Sequence, residues 1–158
     1  MDFQIGDSVI HRTFGFGEIT DVEEKIINGT QVTCYVVQVD HTTIWVPAGI
    51  PGQNSLRNPT LPGEFVKTIN ILTISPDALD EDRLLRKKYL LDRLRDGRLT
   101  SICQVVRDLT HYKRVSKLND QEKSILEQAI NSLLAEWSQS MGIPLDEAQK
   151  SMEAMLQS

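Results

Sequence analysis

A chain of 158 residues with 17 Lys/Arg against 22 Asp/Glu has room for one ordinary domain or two small ones and carries a formal net charge of -5. That length excludes a large enzyme barrel, and 40% hydrophobic with 25% charged residues excludes wholesale disorder. No apolar run approaches the roughly 18 residues of a membrane span, and Met1-Asp2-Phe3-Gln4 lacks the basic start of a signal peptide, so a cytoplasmic, non-membrane protein is expected.

The charge is uneven along the chain. Residues 1–79 hold 9 acidic and 4 basic side chains, residues 80–117 hold 6 and 11, and residues 118–158 hold 7 and 2. An overall acidic balance argues against nucleic acid, but it conceals a middle segment of +5 between two of -5.

The first half reads as strands and turns. Phe3 to His11 gives an opening turn and strand, Phe14-Gly15-Phe16-Gly17 a tight or bulged connection, and Gly17 to Glu23 a second strand. Asn28-Gly29 predicts a type I′ hairpin, because both residues tolerate positive φ. Val32 to Val39 and Thr42 to Val46 follow as strands around Asp40-His41, giving a small twisted antiparallel sheet whose edges a barrel-like closure would protect. Pro47 through Gly63, rich in Pro and Gly, predicts a linker in which Leu56-Arg57-Asn58 reads equally as a recognition segment or as plain connection. The expected domains are 1–63 and 64–158. Phe65 to Ile74 is left open between a short helix and a last strand, with a boundary at Ser75-Pro76.

From Leu79 the period becomes helical. Leu84, Leu85, Tyr89, Leu91 and Leu94 supply an apolar face, with Arg83, Arg86, Lys87 and Arg93 directed elsewhere, and Asp96-Gly97 ends the helix. Thr100 or Ser101 caps a second helix that buries Ile102, Val105, Val106 and Leu109 and projects Arg107 away; His111 to Lys117 forms a basic turn. Asn119 and Glu122 have capping-box spacing for a long third helix through Trp137, which Gly142 stops. Pro144 suits the first turn of a final helix carrying Ala148, Met152 and Met155. The expected fold class is therefore α+β in two domains, a small twisted antiparallel sheet followed by a compact all-helical domain.

No catalytic or metal constellation is evident. His11, His41 and His111 are dispersed, Cys34 and Cys103 lack a C-x-x-C pattern and read as reduced buried thiols, and Asp80, Glu81 and Asp82 suit a helix's first turn better than acid/base work. Gly15 and Gly17 lack the following Lys-Ser/Thr of a phosphate loop and read as turn residues. Trp45 reads as a core aromatic or, if exposed, as an interface anchor, whereas Trp137 continues a helical stripe. The basic segment leaves three readings open: DNA contact, another acidic macromolecule, or a solvated face.

Phe3-Gln4-Ile5-Gly6-Asp7-Ser8-Val9-Ile10-His11 with Gly15-Phe16-Gly17 resembles the opening of bacterial CarD/CdnL-type transcription regulators. Thr43-Ile44-Trp45-Val46-Pro47, Leu56-Arg57, Val105-Val106-Arg107-Asp108-Leu109 and Leu118-Asn119-Asp120-Gln121-Glu122-Lys123 resemble further anchors of the family, in order along nearly the whole chain. The resemblance implies a Tudor-like domain that binds the RNA polymerase β subunit and a helical domain that touches promoter DNA near the upstream bubble edge. By position it implies polymerase contacts around Val36, Gln38, Thr43, Trp45 and Pro47. DNA contacts are expected at Arg83, Arg86, Lys87, Arg107, Lys113 and Arg114. The family carries a tryptophan wedge at the start of the first C-terminal helix; anchored on Asp96-Gly97, that position here is Arg83, which can contact phosphate without wedging. The expected protein is a monomeric, non-enzymatic regulator without cofactor or metal, associated with the nucleoid through polymerase, that modulates open-complex stability. The alternatives are a polymerase-binding adaptor with little DNA contact, and hydrolysis at an unrecognised site. The same N-terminal module occurs in transcription-repair coupling factors, whose motor domains this length does not accommodate.

Overall fold

The computed structural model describes residues 3–48 and 55–157. Gly49, Pro51, Gly52, Gln53 and Asn54 of the expected linker lie outside them. The chain divides into two compact units at Pro59/Thr60, slightly before the expected 63/64 boundary. The reason is that Pro62 and Gly63 do not break structure: Pro62 opens helix α1, where its missing N–H costs nothing.

Unit 1 is an antiparallel sheet of β1 (Ser8–His11), β2 (Gly15–Ile27), β3 (Thr30–Val39), β4 (Thr42–Pro47) and β5 (Leu56–Arg57), in the order β4-β3-β2-β1-β5. Among the described residues the ladder stops at β4 and β5, so it does not close into a barrel. Leu56-Arg57 is an edge strand on β1 rather than connection, with Leu56 buried in the core. Asn28 (φ 51°) and Gly29 (φ 78°) make the expected hairpin turn, and this sets Ile27 opposite Thr30. The register slips once, between Ile19 and Asp21. Gly17 lies inside β2 rather than in the turn. A Cβ there would meet Val39 Cγ2 at 2.7 Å and Val37 Cγ1 at 2.9 Å, so only glycine lets β2 approach β3 this closely.

Strand alternation sorts the side chains. Phe3, Val9, Ile19, Tyr35, Val37, Val39, Val46 and Leu56 form the core on one face.

Unit 2 comprises α1 (Pro62–Ile69), a 3-10 turn (Asn70–Thr73), α2 (Arg83–Asp96), α3 (Leu99–Val115), α4 (Asp120–Met141) and α5 (Leu145–Leu156). α3 and α4 bury the expected stripes around one core, in which Phe65 meets Trp137 edge-on at 5.5 Å. The α4 capping box is complete, and Gly97 and Gly142 terminate α2 and α4 in the left-handed region. Neither Thr100 nor Ser101 caps α3. Instead the Asp96 carboxylate accepts from the Arg98 N–H (2.8 Å) and the Ser101 hydroxyl (2.6 Å), joining the end of α2 to the start of α3. The Thr60 N–H (3.0 Å) and hydroxyl (2.6 Å) donate to the buried Glu136 carboxylate, holding the start of the unit against α4. Cys34 and Cys103 are buried free thiols, and burial together with nearby Glu136 pushes Cys103 up to about 12. No helix among the described residues is long and apolar enough to cross a membrane.

The phase of α2 differs from expectation. Its buried positions are Arg86, Leu90 and Leu94, while Leu84 and Leu85 are 74% and 55% exposed. Burying Arg86 is tolerable only because an acidic partner meets it, and hydropathy along α2 alone does not reveal that partner.

Candidate functional site

Two surfaces, one in each unit, carry the unusual chemistry. On the sheet, the β3–β4 register pairs Val36 with Trp45, Gln38 with Thr43 and Cys34 with Pro47, all on the face opposite the core. The five residues expected at the polymerase contact therefore share that outer face. Val36 is buried and underlies this surface rather than forming it. The Thr43 hydroxyl donates to Gln38 Oε1 at 2.8 Å, which fixes the amide.

Trp45 is 47% exposed, so the core reading does not hold. Its indole N–H donates to Glu23 Oε2 at 3.1 Å, and Lys25 Nζ stands 4.5 Å from the ring centroid. Sequence reasoning missed these two residues and also Ile27, which lies on the same face two positions beyond Lys25 and stays partly exposed. A signal was available: extending the Asn28-Gly29 register through Lys25↔Val32 and Glu23↔Cys34 places them on the Cys34/Val36 face. The result is a rigid indole held by a carboxylate and an ammonium on an exposed sheet face, a suitable anchor for a protein partner.

The helical surface needs correction. Arg86 and Arg107 are not phosphate-facing. Arg86 is 8% exposed; its Nε donates to Glu122 Oε2, Nη1 donates to the Asp80 carbonyl (3.1 Å), and the guanidinium lies over Tyr112 at 5.2 Å. The Glu122 hydrogen bond raises the Arg86 pKa against the opposing effect of burial. Arg107 is 5% exposed, with Nε on Asp108 (2.9 Å) and Nη2 on Asp77 (3.2 Å). Asp108 also accepts from the Asp77 N–H and the Tyr89 hydroxyl. Both arginines are held in internal ionic networks because a buried guanidinium requires charge and hydrogen-bond partners.

Arg83, Lys87, Lys113 and Arg114 remain at the surface. Arg114 is partly committed, since its Nη2 donates to the Leu156 carbonyl at 3.0 Å. Among the described residues Arg83 and Lys87 have no ion pair, and they sit one turn apart on α2, flanking Arg86. They line a groove of about 300 Å³ whose other wall comes from the start of α4: Gln121, Ile125 and the Arg86-paired Glu122. Arg86 also contacts Tyr112, which brings the start of α2 beside the last turn of α3, where Lys113 and Arg114 stand. The groove lining thus carries two surface cations, Arg83 and Lys87, beside the exposed Leu84.

Among the described residues no group of three metal-ligating side chains converges. Two family models match in succession: the CarD-like/TRCF RID domain over residues 3–56 and the CarD C-terminal domain over residues 67–153. The chain is also similar to the Bacillus subtilis (strain 168) protein named "Putative transcription factor YdeB", with 29% identity over 147 residues covering 89% of this chain and 94% of the relative. With both modules present in the same order as the sheet and the helical unit, the chain belongs to the CarD-like family of transcription factors.

Proposed function

We propose that this protein is a monomeric, non-enzymatic regulator that docks on the RNA polymerase β subunit through the outer sheet face and touches promoter DNA near the upstream bubble edge through the helical unit. Its effect is on the lifetime of promoter open complexes. The observation that carries the reading is the division of labour within one chain: an anchored, exposed Trp45 on the polymerase-interacting type of module, and on the other Arg83 and Lys87, which have no ion pair among the described residues. Polymerase supplies location, so a weak phosphate contact is effective once tethered. Association with purified polymerase, followed by open-complex lifetimes with and without the protein, tests this. Absence of both binding and any kinetic effect overturns it.

A second reading, a polymerase-bound adaptor that recruits another protein, is favoured by the withdrawal of Arg86 and Arg107 from the surface, which leaves fewer cations than the segment total implies. Charge reversal at Arg83 and Lys87 separates the two. Weaker, less salt-sensitive promoter association supports DNA contact, and unchanged association supports the adaptor.

A further inference from the structure

Between the 3-10 turn and α2 the chain runs from Ile74 to Asp82 without helix or strand, extended at both ends (φ/ψ -83°/148° at Ile74 and -68°/119° at Asp82). Two hydrogen bonds hold this strap down: the Asp77 N–H donates to Asp108 Oδ1 at 3.1 Å, and the Asp80 carbonyl accepts from Arg86 Nη1 at 3.1 Å. Between those ties the N–H and C=O groups of Ala78 and Leu79 have no partner among the described residues, so the strap presents a short unpaired backbone edge.

Two grooves share Ala78 and Leu79 as a wall. One, of about 400 Å³, is closed by His111, Tyr112 and Val115 of α3, and the other, of about 320 Å³, by Leu85 and Tyr89 of α2. Val115 is 82% exposed and Leu85 55%, so each groove has a large apolar side chain that adds nothing to the core. The charges around them are matched within the fold. Asp77 and Asp108 both meet Arg107, and Arg114 donates to the Leu156 carbonyl. Counting Arg107 behind the lining, the carboxylates of Asp77, Asp80 and Asp108 face the guanidiniums of Arg93, Arg107 and Arg114 in equal number. Burial and Arg114 keep the His111 pKa below its ordinary 6.5, so that ring is neutral at pH 7. The grooves therefore favour neither sign of charge and offer apolar carbon beside unpaired backbone.

We propose that the strap docks a short, uncharged, apolar peptide segment of a partner protein, laid extended along Ala78 and Leu79. A peptide brings an N–H and a C=O with each residue, which answers the unpaired donors and acceptors of the strap together. Successive side chains of an extended segment point in opposite directions, so neighbouring apolar residues reach the Val115 groove and the Leu85 groove. Charge matching sets the class of partner: an acidic or basic segment finds no uncompensated charge here and loses its own hydration. The contact stands apart from the polymerase and DNA contacts, and under the adaptor reading it is where the second protein binds.

The test selects a phage-displayed library of random peptides on the full chain and titrates the enriched peptides, made synthetically, against it by backbone-amide NMR. The expected peptides are uncharged, carry neighbouring large apolar residues and shift the amide signals of Ala78, Leu79 and Val115. Val115→Lys and Leu85→Lys, both at exposed positions, should each weaken them by roughly tenfold or more, the order of one buried apolar side chain, with the urea midpoint of the parent. Methylating the central peptide nitrogens should weaken binding by a similar factor, and Trp45→Ala should leave it unchanged. No enriched peptide, or peptides indifferent to Val115→Lys and Leu85→Lys, overturns the proposal. So does enrichment of acidic or basic peptides, or loss of binding in Trp45→Ala, which places the site on the sheet. Concentration-dependent shifts of the same amides without peptide show a second copy as the occupant and overturn the assignment to another protein. Each of these outcomes leaves the polymerase and promoter measurements above to stand or fall separately.

Discussion

Glu122 serves two partners from opposite oxygens: Oε1 accepts from the Asn119 N–H at 3.0 Å, closing the α4 capping box, and Oε2 accepts from Arg86 Nε on α2. One side chain thus terminates a helix and compensates a buried guanidinium.

Removing one member of this pair strands the other. Arg86→Met should cost about 3–5 kcal/mol. Adding Glu122→Gln should restore part of it, because glutamine is neutral and still accepts from the Asn119 N–H. Urea midpoints of the single and double variants check this. A double variant no more stable than Arg86→Met alone would show that an uncompensated carboxylate is not the cause.

Trp45 offers the reverse case, a large side chain whose loss should leave folding almost untouched. Trp45→Ala is expected to weaken polymerase association by about 2 kcal/mol, roughly thirtyfold in Kd. Its urea midpoint should stay near the parent's. Calorimetry with purified polymerase measures the first effect, and equal affinity of variant and parent would remove Trp45 from the contact.

The surface cations and the buried arginines should separate in salt titrations. Each phosphate contact adds about 0.9 to the slope of log K against log salt, so Arg83→Gln with Lys87→Gln should reduce it by about 1.8. Arg107→Gln should lower stability and leave the slope of the folded protein unchanged, since Arg107 serves Asp108 and Asp77.

Two glycines make opposite predictions. Gly17→Ala drives a Cβ into Val39 and the Gln38 carbonyl oxygen, an overpacking that should cost about 1–3 kcal/mol. Gly63→Ala, in α1 with open space at the Cβ position, should instead stabilise by roughly 0.4–1 kcal/mol. Thermal unfolding followed by circular dichroism reads both, and matching shifts would contradict the close approach at Gly17.

Burial holds the His11 imidazole below its ordinary pKa of 6.5, and Nδ1 accepts from the Thr13 (3.0 Å) and Phe14 (3.3 Å) N–H groups. The unfolded chain therefore takes up this proton at higher pH than the folded one. Stability is full above about pH 6.5, falls as the pH drops through that value, and levels off below the folded pKa. His111 is lowered too, by burial and then Arg114, and adds to the same slope. His11→Asn keeps an acceptor for both amides and should flatten the His11 share. Urea midpoints between about pH 7.5 and pH 5.5 measure it, and an unchanged slope in the variant would rule His11 out.

What could be read in advance was local. The Asn28-Gly29 turn, the Asn119/Glu122 capping box, the stops at Gly97 and Gly142 and the stripes of α3 and α4 each depend on residues within a turn or two of one another. The phase of α2 was misread because Leu84 and Leu85 look like core residues and Arg86 like surface. Its partner Glu122 lies 36 positions away. Leu56-Arg57 read equally as recognition segment or connection, and not as a strand, because its pairing strand, β1, lies more than forty residues earlier. Trp45 stayed open between core and interface anchor because strand composition says nothing about which face is covered.

From the sequence alone came the two-module organisation and the antiparallel sheet before the helices, because turn chemistry, helix capping and hydrophobic period act between near neighbours; the family came from the resemblance of its ordered motifs. Only the tertiary structure decided which cations meet water and which aromatic is exposed. A buried charge survives where a distant partner compensates it, and that pairing exists only once the chain has folded.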